Sequence, residues 1–149
     1  PEAKVQEDTM YIPGTDGGKM SKSKGNTIDI FLPEKDLKKQ IMGILTDSTP
    51  LEEPKNPDTC AVFALYQHIA DQDQVAEMRA QYLAGGYGFG HAKKALLDAV
   101  LERFAAPRAR FAHYMEHPNE IDEALSVGAA KARLVAQGVL DRVREKLGY

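Results

Sequence analysis

Lys19, Lys22 and Lys24 fall within one six-residue stretch, with Ser21 and Ser23 between them and Gly17, Gly18 and Gly25 beside them. The nearest acids are Asp16 upstream and Asp29 downstream. Glycine lets a backbone turn tightly and approach a ligand. Serine hydroxyls and backbone N–H groups donate to phosphate oxygens, and lysine supplies a mobile, strongly hydrated positive charge. Such a set suits a polyphosphate whose negative charge grows as a leaving group departs. It is not a Walker A loop, because the Gly-x4-Gly-Lys-Ser/Thr spacing is absent. On residue types alone, a solvated basic turn is the commoner reading of a lysine, serine and glycine cluster.

The elements that must hold this loop are helical. Residues 1–33 are turn-rich: Met10-Tyr11-Ile12 is stopped by Pro13-Gly14, and Ile28 and Ile30 alternate with polar residues as in a short extended run. Pro33, Glu34 and Asp36 then mark a helix start. Leu37, Ile41, Ile44 and Leu45 are expected on its inner face. Pro50, Pro54 and Pro57 make a loop. Asp58 or Thr59 is expected to cap a second helix carrying Val62, Phe63, Tyr66 and Ile69. A third helix, from about Asp73 to Ala84, buries Val75, Met78 and Tyr82, and Gly85-Gly86 ends it. A fourth starts near Gly90 with Leu96, Val100 and Phe104 inward, and Pro107 ends or kinks it. Phe111, Tyr114 and Met115 lie on a fifth. Pro118 opens a long sixth, with Ile121, Leu125, Ala129, Ala132, Val135, Val139 and Val143 inward. The expected fold is mainly α: a helical bundle preceded by a loop-rich segment.

Composition bounds the rest. The 149 residues carry a net charge of -3, four His and one Cys. One Cys excludes an internal disulfide framework. No charge-free stretch approaches the ~20 apolar residues of a membrane span. The charge argues against a simple strongly basic nucleic-acid binder but allows a local basic patch. Pro1 in place of Met raises the expectation of a piece cut from a longer protein.

Lys19-Met20-Ser21-Lys22-Ser23 resembles, letter for letter, the signature loop of class I aminoacyl-tRNA synthetases. Pro13-Gly14-Thr15-Asp16-Gly17-Gly18 before it and Gly25-Asn26-Thr27-Ile28 after it resemble the tryptophanyl branch. So do Thr46-Asp47-Ser48, Glu53-Pro54-Lys55-Asn56-Pro57, Gly86-Tyr87-Gly88 followed by Lys93, and Gly128-Ala129-Ala130-Lys131-Ala132-Arg133. The resemblance runs in order from Pro13 to Gly148. It implies the C-terminal part of an enzyme that activates tryptophan with ATP, accompanied by Mg²⁺, and transfers it to tRNA-Trp in the cytoplasm. It implies that Lys22 is the main ATP contact and Lys19 a secondary one. Met20 would position the loop, while Ser21 and Ser23 offer polar groups. Residues 1–33 would be the remnant of a Rossmann-type catalytic domain and 34–149 the anticodon-binding helical domain. The family's His-x-Gly-His signature and tryptophan pocket are absent from these residues, so the chain alone is expected to be inactive. Full enzymes of the family are generally homodimers.

Other readings stay open. A tyrosyl enzyme is the nearest rival, and a stand-alone, non-catalytic tRNA-binding or interaction module is a rival from another class. Tyr87 and Phe89 could stack on an unpaired base. Lys93, Lys94, Arg103, Arg108 and Arg110 could meet phosphates. For each group an ordinary solvated face is equally good. His113 and His117, four apart, could face together as metal ligands, but surface or core histidines are the commoner outcome, and no metal site is expected. Cys60 reads as a buried small hydrophobe rather than a nucleophile. The aromatics Phe63, Tyr66, Tyr82, Phe104, Phe111 and Tyr114 read as core.

Overall fold

The computed structural model describes residues 11–149. Met10 of the expected first apolar run and the Pro1 terminus lie outside the described residues. Among the described residues six α-helices follow one another: α1 Glu34–Met42, α2 Ala61–Tyr66, α3 Gln72–Ala84, α4 Phe89–Arg103, α5 Ala105–Glu116 and α6 Pro118–Leu147. The described residues contain no regular strand, only an isolated bridge between Pro13 and Lys19. Contacts divide the chain into two compact units, one reaching to Arg108 and the other Ala109–Tyr149.

In the first unit α4 packs on both α1 and α2. The apolar spacing of these helices explains the contact. Leu37 and Ile41 of α1, Val62 and Phe63 of α2, and Ala92, Leu96 and Val100 of α4 are all almost wholly buried. Each such leucine, isoleucine, valine or phenylalanine contributes roughly 1.5–3 kcal/mol by leaving water. Tyr82 of α3 sits at the centre, with its ring 5.7 Å from Phe63 and 5.9 Å from Tyr87. The loop-rich segment packs on the same core through Ile12, Met20, Ile28, Ile30 and Leu32. The first compact unit therefore runs through residue 33 without a break.

Several local expectations change. Gly43 stops α1, so Ile44 is buried from the following turn while Leu45 is 64 % exposed. Asn56, not Asp58 or Thr59, caps the chain before α2, and it caps a 3-10 turn over Pro57–Thr59. The proline forces that turn first, and α2 starts only after Cys60. Ile69 falls beyond the end of α2 and is half-buried. Asp71 and Gln74 form a reciprocal capping box on α3. Gly85 ends that helix at φ +79°, and a Cβ there would lie 2.4 Å from the Glu52 carbonyl oxygen. The helix break near Pro107 falls at Phe104, and Pro107 sits in the first turn of α5, where it lacks no needed donor.

In the second unit α6 runs 30 residues from Pro118 to the left-handed cap Gly148. Its expected inner stripe is uncovered: Ile121, Leu125, Val135, Val139 and Val143 are all exposed. Phe111 and Tyr114 are exposed as well. A periodic stripe names the face that wants a partner; it does not supply one. No helix among the described residues is long and apolar enough to cross a membrane.

Candidate functional site: the lysine–serine loop

The loop is a closed, wired turn. The Met20 N–H donates to the Ile12 carbonyl at 2.9 Å and the Gly14 N–H to the Gly18 carbonyl at 2.7 Å. Lys22–Lys24 form one 3-10 turn, ended by Gly25 at φ +66° with its N–H on the Lys22 carbonyl. Lys19, Lys22, Ser23 and Lys24 are exposed, and Met20 is half-buried against the core. The side chains of Ser21 and Ser23 meet at 2.8 Å. Three ammonium groups thus project from a backbone held down by one apolar side chain.

Asn26 is the hub, and its role was not read from the sequence. It is 3 % exposed. Its side-chain oxygen accepts from the Ser21 N–H at 2.7 Å. Its amide donates to Asp16 at 2.7 Å and to the Lys19 carbonyl at 3.1 Å. Its own carbonyl accepts from the Thr15 N–H at 2.9 Å. Gly14 makes this possible, since a Cβ there would lie 2.4 Å from the Asn26 amide nitrogen. The hydrogen bond from Asn26, helped by the Gly18 N–H and opposed by partial desolvation, holds the Asp16 carboxyl below its ordinary range. Asp16 is therefore hydrogen-bonded inside the turn, and Lys24 adds a smaller electrostatic pull on the same carboxyl. An asparagine within a glycine-rich turn was the available signal, because its side chain readily bonds nearby backbone.

Thr15 links this turn to the helices, its carbonyl accepting from the Leu45 N–H at 2.8 Å. An open groove of about 530 Å³ borders the base of the loop, with Asp16, Gly17, Thr46, Asp47, Cys60 and His68 among its walls. Asp47 accepts from the Thr49 N–H at 2.8 Å, and its carboxyl is held low by its hydrogen bonds to Thr49. Lys55 is a second buried polar residue that sequence reasoning passed over. Its ammonium donates to the carbonyls of Pro50, Leu51 and Glu53 and lies 5.5 Å from the Phe89 ring centre. It ties the proline-rich loop to the start of α4.

The residues singled out for RNA contact separate into two groups. Tyr87 and Phe89 are half-buried, each with its ring against Tyr82. The Arg108 guanidinium is spent on backbone, donating to the carbonyls of Ile30 and Leu32. Lys93 donates to the Met42 carbonyl at 3.1 Å, and burial lowers its pKa. These side chains sit where the loop-rich segment and helices join, which explains their engagement. Lys94, Arg103 and Arg110 are exposed. Cys60 is buried, with its sulfur 3.5 Å from the Tyr82 hydroxyl.

The geometry is thus that of a basic, glycine-flanked loop wired onto a helical body. Residues 4–105 match the family model described as tRNA synthetases class I (W and Y), and the chain belongs to that family. Among its relatives is the tryptophan–tRNA ligase of Campylobacter jejuni strain RM1221, 44 % identical over 148 residues. That alignment covers 99 % of this chain and 46 % of the relative. The tryptophan–tRNA ligase of Fusobacterium nucleatum is 42 % identical over 150 residues, covering 99 % and 45 %. The crystal structure of tryptophanyl-tRNA synthetase from Campylobacter jejuni complexed with ADP and tryptophan superposes with a TM-score of 0.93 at 44 % identity. It covers all of this chain and 47 % of that one. The chain thus spans about half the length of these relatives and corresponds to their C-terminal part.

Proposed function

We propose that these residues belong to a tryptophan–tRNA ligase and supply its ATP-phosphate loop and its helical tRNA-binding region. The exposed Lys19 and Lys22 on the wired turn carry this reading, supported by relatives that bear the tryptophan name along nearly the whole chain. In the reaction ATP and tryptophan give tryptophanyl-adenylate and pyrophosphate, and tryptophan then passes to tRNA-Trp. Lys22 is the main contact to the departing pyrophosphate and Lys19 a secondary one. Ser21 and Ser23 offer hydroxyls, and Met20 holds the loop in place. Removing one such charge-stabilising donor costs roughly 10²–10³ in rate. Mg²⁺ would arrive on the ATP phosphates; no carboxylate lies between Gly17 and Ile28 to hold it. Residues 1–33 then close the catalytic domain and 34–149 form the anticodon-binding domain, in a cytoplasmic homodimer. For RNA contact the exposed Lys94, Arg103 and Arg110 are the better set.

Tryptophan-dependent exchange of pyrophosphate into ATP tests this. The complete gene product should exchange with tryptophan and not with tyrosine, and the 149 residues alone should not exchange. Exchange driven by tyrosine, or none from the complete product, overturns the assignment. Exchange by the 149-residue chain alone overturns its division of labour.

A further inference from the structure

The corner between α5 and α6 holds a cluster that the loop chemistry does not use. One donor atom from each of His113, His117 and Glu120 lies within 4.8 Å of the other two. His113 Nε2 is 3.0 Å from a Glu120 carboxylate oxygen. The two imidazoles face each other with centres 4.4 Å apart and planes 23° apart. His117 Nδ1 lies 2.9 Å from the His113 carbonyl oxygen. A carbonyl only accepts, so Nδ1 carries the proton and the lone pair of His117 is on Nε2. An outer hydrogen bond of this kind fixes the tautomer and ring of a metal-ligating histidine.

We propose that His113, His117 and Glu120 bind a divalent transition-metal ion of the zinc type. Two imidazoles and one carboxylate form a donor set suited to Zn²⁺, with a fourth position left for water or an anion. Imidazole donors disfavour Mg²⁺ and Ca²⁺, which prefer oxygen alone. The ion therefore differs from the Mg²⁺ that travels with ATP, and the proposal stands apart from the ligase reading. All three side chains are exposed, which leaves an open path for entry. A bound ion would take the place of the proton between His113 and Glu120, which leaves to solvent. It would join the end of α5 to the first turn of α6, adding to the His–Glu contact, the imidazole stack and the backbone bonds already at that corner.

The probe is Co²⁺, titrated into the metal-free 149-residue chain and followed by visible absorption, with Zn²⁺ as competitor. One equivalent of Co²⁺ should give a ligand-field band that Zn²⁺ abolishes and Mg²⁺ leaves intact. His113→Ala, His117→Ala and Glu120→Gln should each weaken binding by about tenfold or more. His68→Ala should leave it unchanged. Far-UV circular dichroism checks that each variant is folded, and the isosteric Glu120→Gln keeps the test informative if a histidine variant is not. No Co²⁺ band, equal displacement by Mg²⁺, or affinity unchanged in folded Glu120→Gln overturns the proposal.

Discussion

Asn26→Ala should release the signature loop while leaving the helices intact. The side chain makes three bonds, and two of their partners are backbone groups of the loop itself, Ser21 N–H and Lys19 C=O. A net neutral hydrogen bond contributes about 0.5–1.5 kcal/mol, so losing these two costs about 1–3 kcal/mol. The Asp16 partner is open to water and is left out of that sum. Every 1.4 kcal/mol is tenfold, so the wired turn should lose about 5–150-fold in population relative to its open forms. Amide hydrogen exchange by NMR on the 149-residue chain reads this directly. Ser21 N–H, half-buried and bonded in the parent, should lose protection by that factor, and Met20 N–H should follow to a lesser degree. Amides of α1 and α4 should keep theirs. Unchanged protection at Ser21 in a folded variant would refute the idea that Asn26 holds the loop.

The remaining predictions concern the body of the protein. Arg108→Ala should lower stability by about 2–3 kcal/mol in urea melts, because charged donors to two backbone carbonyls are lost. It should leave the salt dependence of tRNA binding unchanged. Lys93→Ala with Lys94→Ala should weaken tRNA binding and lower the magnitude of the salt slope by roughly 1, mainly through the exposed Lys94. Gly85→Ala should cost at least about 1–3 kcal/mol from its positive φ alone, with the approach to the Glu52 carbonyl added, as read from thermal melts. Burial pushes the Tyr82 phenol above its ordinary range, helped by its bond to Cys60, and burial also raises Tyr66 and Tyr87. Above roughly pH 10 an unfolded chain sheds these protons while the folded one keeps them. Stability is therefore whole below that pH and falls as pH climbs past it. Lys93, whose pKa is lowered, works in the opposite sense. Tyr82→Phe should flatten the alkaline loss seen in melts across that range.

The exposed basic turn was legible because its lysines, serines and glycines are consecutive residues. Helices were legible where apolar periodicity met a core, as with Leu37 and Ile41 in α1 or Leu96 and Val100 in α4. Periodicity failed where it could not see a stop or a partner. Ile44 and Leu45 share a pattern, but Gly43 ends the helix and sends one inward and the other out. Ile121, Leu125 and Val135 form a proper stripe, yet they are exposed in this chain. Charge says little about placement: the Arg108 guanidinium bonds to backbone 76 and 78 residues earlier, a pairing that local sequence does not reveal. Lys55 and Asn26 face inward for a more local reason: the carbonyls they serve lie two to seven residues away and converge only when those loops are folded.

Lys22 on this loop is proposed to clamp the triphosphate of a tryptophan-activating enzyme. Single-turnover adenylate formation by the complete gene product carrying Lys22→Ala tests it most directly. The rate should fall by roughly 10²–10³ while tryptophan binds as before. An undiminished rate at saturating ATP would show that Lys22 does not clamp the triphosphate.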